Sequence, residues 1–401
     1  MKLFFKQIAS WPFRTYEKFT INKTYRLKKR GIETSYLINL KFYFLIKYFI
    51  VSREFILIED TLLKLIVRSL KKDISLTELR EFLEGTNYQI SLYLVIYDFL
   101  RYFGLYYFAL PFREKAIDEA LKIKDNSCRD FFKYYLPAII EQRRYDLLKK
   151  FVDGIESENI NSIFYNFLTR VIERKLETTN HHSNFQKFIN NKKIAIVTPG
   201  SSDIDDGKAI DLYDLVVRFN KINSLDIDNK IYGNKINISY TNNENVKPIL
   251  NSIHKGASIT TDFICFKSRR YFSDIMKEIK DFKEIRYLDD YNHLCFHQSF
   301  NLLPLTLLDL IFNGKPKKVK IYKSDIMLSS TRAVNYFYAG HPAAQDGVGS
   351  FNSSPHDPIS NFVFLRNLYH LGLFQGDKKM EHVLSMSVSK YSLEMQEIYS
   401  I

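Results

Sequence analysis

Lys193-Ile-Ala-Ile-Val-Thr-Pro-Gly-Ser-Ser202 is the stretch on which the reading of this chain turns. A short β-branched run that follows a polar segment and ends in a Pro-Gly turn is the pattern of a buried parallel strand. Ligands in open α/β sheets bind outside the carboxyl ends of strands, so the bend after Val197 is a natural seat for a phosphate or nucleotide. There Pro199 sets the turn, Gly200 lets backbone N–H groups come close to a ligand, and Ser201 and Ser202 add hydroxyl donors. The bend is neither Gly-x-Gly-x-x-Gly nor a P-loop, which counts against a dinucleotide or ATP site.

Working outward, Val216-Val-Arg-Phe and Ile236-Asn-Ile-Ser-Tyr read as further strands, and residues 302–312 and 361–371 as helices. Strands alternating with helices predict a Rossmann-like α/β layer with a mostly parallel sheet and flanking helices. The first half is punctuated differently. It holds four glycines and three prolines before residue 191, against ten and seven from there on. Few breakers and apolar residues at helical spacing, as in Thr61-Leu-Leu-Lys-Leu-Ile-Val-Arg-Ser-Leu, predict an all-α N-terminal domain. The polar stretch 177–191 marks the boundary, with a helical domain over 1–185 and the α/β domain over 190–401.

The chain has 401 residues and 46% hydrophobic content, enough for a sizeable core, which excludes global disorder. Its 58 Lys+Arg outnumber 45 Asp+Glu, for a formal charge of +13, which favours an anionic partner. Cys128, Cys265 and Cys295 offer neither a disulfide framework nor zinc spacing. The apolar window 37–51 is interrupted by Lys41 and Lys47 and falls short of a bilayer span, so the expected location is cytoplasmic, with peripheral membrane contact allowed. No nucleic-acid motif is present, and the basic residues are dispersed.

The longer string after the bend is more specific: Gly207, Ile210, Asp211, Asp214, Val216, Arg218 and Asn220 in one register, followed by Lys235-Ile-Asn-Ile-Ser-Tyr-Thr-Asn-Asn243. It resembles the large motif of the eukaryotic-type sialyltransferase family. Gln298-Ser-Phe-Asn301 and the apolar helix after it resemble that family's small motif, with Ser299 at the polar turn and Asn301 where a glycine is usual. His356-Asp-Pro-Ile-Ser-Asn361 resembles its last motif, in which a histidine precedes a glutamate by five residues; Asn361 replaces the acid. The resemblance covers roughly residues 190–375. The family joins its large and small motifs by a disulfide, but Lys193 and Asn313 occupy about those places here, which fits a bacterial-style enzyme in a thiol-reducing compartment.

The resemblance implies a variant of the GT-A transferase fold and an inverting, metal-independent glycosyl transfer from a CMP-activated sugar. His356 would be the base. Pro199, Gly200, Ser201, Ser202, Asn220, Thr241, Asn242, Ser299 and Asn301 would hold the donor, with Tyr336 and His341 assisting its phosphate. No resident cofactor is implied. The acceptor would be a cell-surface glycan or a lipid-linked oligosaccharide. Two rivals stand beside this. Asp203-Ile-Asp205 or Asp226-Ile-Asp228 would serve a metal-dependent transferase with a nucleoside-diphosphate sugar. Alternatively, the α/β half is a non-catalytic nucleotide- or anion-binding scaffold.

Overall fold

The structure is a computed structural model. It describes residues 90, 93–94, 97–98, 100–101, 104–123, 131–149, 160–176, 183–200, 202–223, 227–254, 256, 258–267, 284–289, 291–328 and 356–399. The chain divides into two compact units, Met1–Leu92 and Tyr93–Ile401. All that follows concerns the second. The helices expected over residues 1–89 lie outside the described residues, as do Ser201, Asp226, Tyr336 and His341.

Among the described residues before 190, every regular element is helical. They form α1 (Tyr106–Ala120), a π-helical turn (Phe131–Tyr135) running into α2 (Leu136–Gln142), α3 (Tyr145–Leu148), α4 (Ile160–Leu176) and α5 (Ser183–Ile189). These helices belong to the same compact unit as the sheet. The α/β part then follows in order: β1 (Lys193–Val197), α6 (Gly207–Asp211), β2 (Leu215–Phe219), α7 (Asn229–Tyr232), β3 (Ile238–Thr241), α8 (Val246–His254), β4 (Phe263–Phe266) and β5 (Ile285–Tyr287). It closes with α9 (Leu302–Gly314), β6 (Lys318–Tyr322), α10 (Pro358–His370), β7 (Gln375–Gly376), α11 (Lys378–Leu384) and α12 (Val388–Tyr399).

The seven strands form one sheet in the order β5-β4-β3-β2-β1-β6-β7, and every pairing is parallel. The expected strands and helices are thus present, and the sheet is wholly rather than mostly parallel. Its inner strands are buried on both faces, as continuous apolar runs require. On one face Ala195, Val197 and Val216 pack with Ile210, Ile227, Tyr232 and Tyr322. Phe263-Ile-Cys-Phe266 and Ile285-Arg-Tyr287, which the sequence reading left unmarked, complete the sheet on its β3 side.

Helix α9 is apolar nearly all round and is buried accordingly. Two of its polar side chains, Asp309 and Asn313, lie one turn apart in a buried network. Asp309 takes the Arg286 guanidinium and, at 2.5 Å, the Tyr240 hydroxyl, while Asn313 donates to Asp309 Oδ1 at 2.8 Å. Burial alone would raise the Asp309 carboxyl, but Arg286 holds it below the ordinary carboxylate range. Asn313 is therefore part of a core network.

Because all strands run one way, every strand's carboxyl end lies on one edge, and the order reverses between β1 and β6. The residues leaving these two strands interlock. Thr198 Oγ1 donates to the Lys323 carbonyl at 2.6 Å, and a Cβ on Gly200 would sit 1.9 Å from that same oxygen. Gly200 is a glycine because the chain leaving β6 fills the space a side chain would need. Gly200→Ala should lower stability by about 1–3 kcal/mol through overpacking, read as a shift in urea midpoint at unchanged slope. An unshifted midpoint would show that the bend is free to move.

Candidate functional site

The large-motif residues divide by role. Gly207, Asp211 and Arg218 brace the fold. A Cβ on Gly207 would lie 2.0 Å from the Asn229 carbonyl, so its absence lets α6 rest on α7. Asp211 accepts the backbone N–H groups of Asn234 and Lys235, both at 2.9 Å. The fully buried Arg218 donates to the carbonyls of Tyr232, Gly233 and Lys235 at 2.7, 2.8 and 3.0 Å. Asp214 accepts from the Lys193 N–H at 2.7 Å, a contact that holds its carboxyl low. Neither Asp211 nor Asp214 is the partner of Arg218.

Other predicted residues do line the carboxyl edge. Asn220 leaves β2 in the left-handed region (φ 57°), where asparagine is tolerated, and its Oδ1 accepts the Asn242 N–H at 2.9 Å. That bond ties the end of β2 to the end of β3. Thr241 is fully buried, and its carbonyl accepts the Lys267 N–H at 2.9 Å. Ser202 Oγ lies 3.1 Å from the Lys323 ammonium, which also donates to the Ile204 carbonyl at 2.8 Å and to Asp206 at 2.5 Å. Lys323 thus straps the 202–206 loop down at the switch point. The main chain of Gly200 also engages the protein, since its carbonyl accepts the Tyr232 hydroxyl at 2.9 Å.

The small-motif and last-motif stretches meet. His356 Nδ1 lies 3.1 Å from both the hydroxyl and the carbonyl of Ser299, and the two residues form a bridge between their backbones. A carbonyl only accepts, so Nδ1 carries the proton of the neutral ring in that contact. The Asn301 N–H donates to Asn361 Oδ1 at 2.8 Å, and Asn361 Nδ2 donates to the Asp357 carbonyl at 2.6 Å. A glutamate at 361 would set a carboxylate against that carbonyl. Asn301 in turn caps α9, its side chain accepting from the Leu303 N–H at 3.1 Å. Asn301 and Asn361 are therefore bonded to each other.

Two residues here were not singled out from the sequence. Lys267, the first residue past β4, donates to the Phe300 carbonyl at 3.1 Å. It is the first polar residue after an apolar run, a signal visible once β4 is recognised. Burial first, then the Lys267 charge, drive the His356 imidazole from its usual range down to about 3, opposed by hydrogen bonding to the backbone at Ser299 and Phe300. The second is Asp357, fully buried at the start of α10. It accepts the N–H groups of Ile359 and Ser360, the hydroxyl of Ser360, the hydroxyl of Tyr97 and, at 3.4 Å, Arg113 Nε. Burial would raise this carboxyl, but Arg113, then His297 and Arg101, keep it below the ordinary range.

The paired aspartates are engaged elsewhere. Exposed Asp205 pairs with Lys230 at 2.9 Å, and Asp228 caps α7. Among the described residues no group of three or more His, Cys, Asp or Glu side chains is arranged to hold a metal, and no helix is long and apolar enough to cross a membrane. Cys265 and Cys295 are buried free thiols, Cys265 pushed up to about 12 by burial. Comparison of the sequence with protein-family models and with curated proteins gives no match.

Proposed function

We propose that this chain is an inverting glycosyltransferase of the sialyltransferase-like kind. It would move sialic acid or a related keto-sugar acid, such as 3-deoxy-octulosonate, from its CMP ester to a hydroxyl of a cell-surface glycan or lipid-linked oligosaccharide. The observation that carries this reading is the Ser299–His356 contact, reinforced by the Asn301–Asn361 bond. Two motif-like stretches, far apart in sequence, are joined by their motif residues beside Lys267 at the carboxyl edge of a parallel sheet.

The chemistry follows from those groups. The acceptor oxygen forms a bond to the anomeric carbon as the bond from that carbon to the CMP phosphate oxygen breaks. The electron pair leaves on the phosphate, and the acceptor proton passes to the imidazole of His356. Ser299 fixes the tautomer by receiving the Nδ1–H, the usual way an enzyme orients such a ring. The Lys267 ammonium and the amino end of α9 put positive potential where the phosphate charge develops. An imidazole held near 3 is neutral over the whole physiological range, and an arriving anionic donor raises it toward the working pH. The net charge of +13 suits an anionic glycolipid acceptor at the cytoplasmic face of a membrane.

A thermal-shift panel of CMP, UDP, GDP and ADP, each with magnesium and with chelator, tests the donor class. CMP should raise Tm most, with equal effect in both conditions; at a hundredfold excess over Kd the expected gain is about 2.7 kcal/mol. Stabilisation by UDP that requires magnesium would replace this reading with the metal-dependent transferase.

A further inference from the structure

One helical turn before α1 holds both backbone segments of the candidate site. Asp98 accepts from Gln298 Nε2 at 2.7 Å and contacts His297 Nε2 at 2.9 Å, so it grips the segment that carries Ser299. Arg101, three residues on, donates from one guanidinium nitrogen to Asp98 at 3.2 Å and from the other to the His356 carbonyl at 3.0 Å. The Arg101 side chain is almost wholly buried (5%), whereas Asp98 keeps 28% of its side-chain surface. Gln298 stands in the left-handed region (φ 62°), a conformation that costs energy unless its surroundings impose it. The segments gripped are the two that meet in the bridge of Gln298 and Ser299 with His356.

We infer that Asp98 and Arg101 form a positioning clamp, which sets His356 against Ser299 from a helix outside the α/β layer. The inference deepens the transferase reading by giving residues of the N-terminal helical segment a part in the reaction. Neither residue needs to touch the substrate. The clamp fixes the imidazole, and a displacement of about 1 Å at such a group can cost about a hundredfold in rate.

The clamp is read on the ring itself. In the full-length chain, nitrogen-15 imidazole spectra are recorded against pH for Asp98→Asn, Arg101→Gln, Arg101→Lys and the double variant Asp98→Asn/Arg101→Gln. His356→Gln identifies the resonance. The charged groups bearing on the ring are Lys267 and Arg101, with Asp98 beyond them. Removing the Asp98 charge alone would lower the midpoint of His356. Release of the ring from its buried place raises it instead. The expected result is a rise of about one unit or more in Asp98→Asn and in Arg101→Gln. The double variant should add little beyond the larger single effect, and Arg101→Lys should partly restore the parent midpoint.

Folded single variants whose His356 resonance and midpoint match the parent overturn the clamp. If Arg101→Gln does not fold, Asp98→Asn at its partly exposed position decides alone by the same criterion. With transfer assayed, kcat should fall about tenfold or more while the donor KM stays within about twofold. A parent chain that shows no transfer sinks the enzyme reading and leaves the imidazole measurement to decide the clamp.

Discussion

Asp357→Ala should cost about 3–5 kcal/mol of folding stability. The side chain is fully buried and does three things at once. It caps α10 through two backbone N–H groups, it receives the Tyr97 hydroxyl, and it faces Arg113, itself buried and paired on its other side with Glu141. Loss of the cap alone is worth about 1 kcal/mol. The remainder comes from leaving a buried guanidinium with one carboxylate fewer, the asymmetry that makes half of a buried pair worse than none. Asp357→Asn keeps an oxygen for the cap and should lose less. Combining Asp357→Ala with Arg113→Met should recover part of the loss, because the two residues touch and their effects do not add. Urea denaturation of the parent, Asp357→Ala, Asp357→Asn, Arg113→Met and the double variant measures this. A loss under about 1 kcal/mol for Asp357→Ala, or strict additivity in the double variant, would mean that Arg113 is satisfied without it.

His356→Gln should lower transfer by about 10²–10⁴ while leaving CMP affinity within about twofold, as expected when a positioned base is removed and the donor seat is kept. Loss of transfer and CMP binding together would instead make His356 a donor-holding group. The pH profile tests the same residue. With the free imidazole near 3, kcat/KM should show no acid limb near 6.5 from this group. The bound donor is anionic and raises the imidazole, so the acid limb of kcat should lie at higher pH than that of kcat/KM. Stability follows the opposite arm of the same linkage. The unfolded chain takes up this proton near 6.5 and the folded chain only near 3, so the contribution is complete above 6.5. It is then lost on acidification by about 1.4 kcal/mol per pH unit. His356→Gln should flatten that slope.

The sheet was legible at β1, β2 and β3 because each is a short β-branched run followed by a turn residue or an asparagine. It was less legible at β4 and β5. Phe263-Ile-Cys-Phe is only four residues long, and Ile285-Arg-Tyr buries an arginine whose partner, Asp309, lies on a distant helix. A buried ion pair of that kind leaves no local signature. Arg218 and Asp211 were visible as a motif, but their partners were not, since both bond to backbone groups of residues 232–235. Gly200 was noticed for a reason that concerns ligands, whereas the structure supplies one that concerns the Lys323 carbonyl, reachable only once β6 is set beside β1. Ser299 and His356 were each found from sequence, but their meeting was not, since it depends on a bridge between segments that no periodicity links. Asp98 and Arg101 escaped notice because an Asp-x-x-Arg spacing on a helix reads as an ordinary surface pair.

The strand order also governs how this molecule comes off the ribosome. β1 sits near the middle of the sheet, yet its second neighbour, β6, is synthesised only after β2, β3, β4 and β5 have all emerged. Until then the N–H and C=O groups of an apolar strand, Ile194-Ala-Ile-Val197, stand open along one side. Nascent chains halted between β5 and β6 should therefore be sticky, and their aggregation should cease abruptly once Tyr322 clears the exit tunnel.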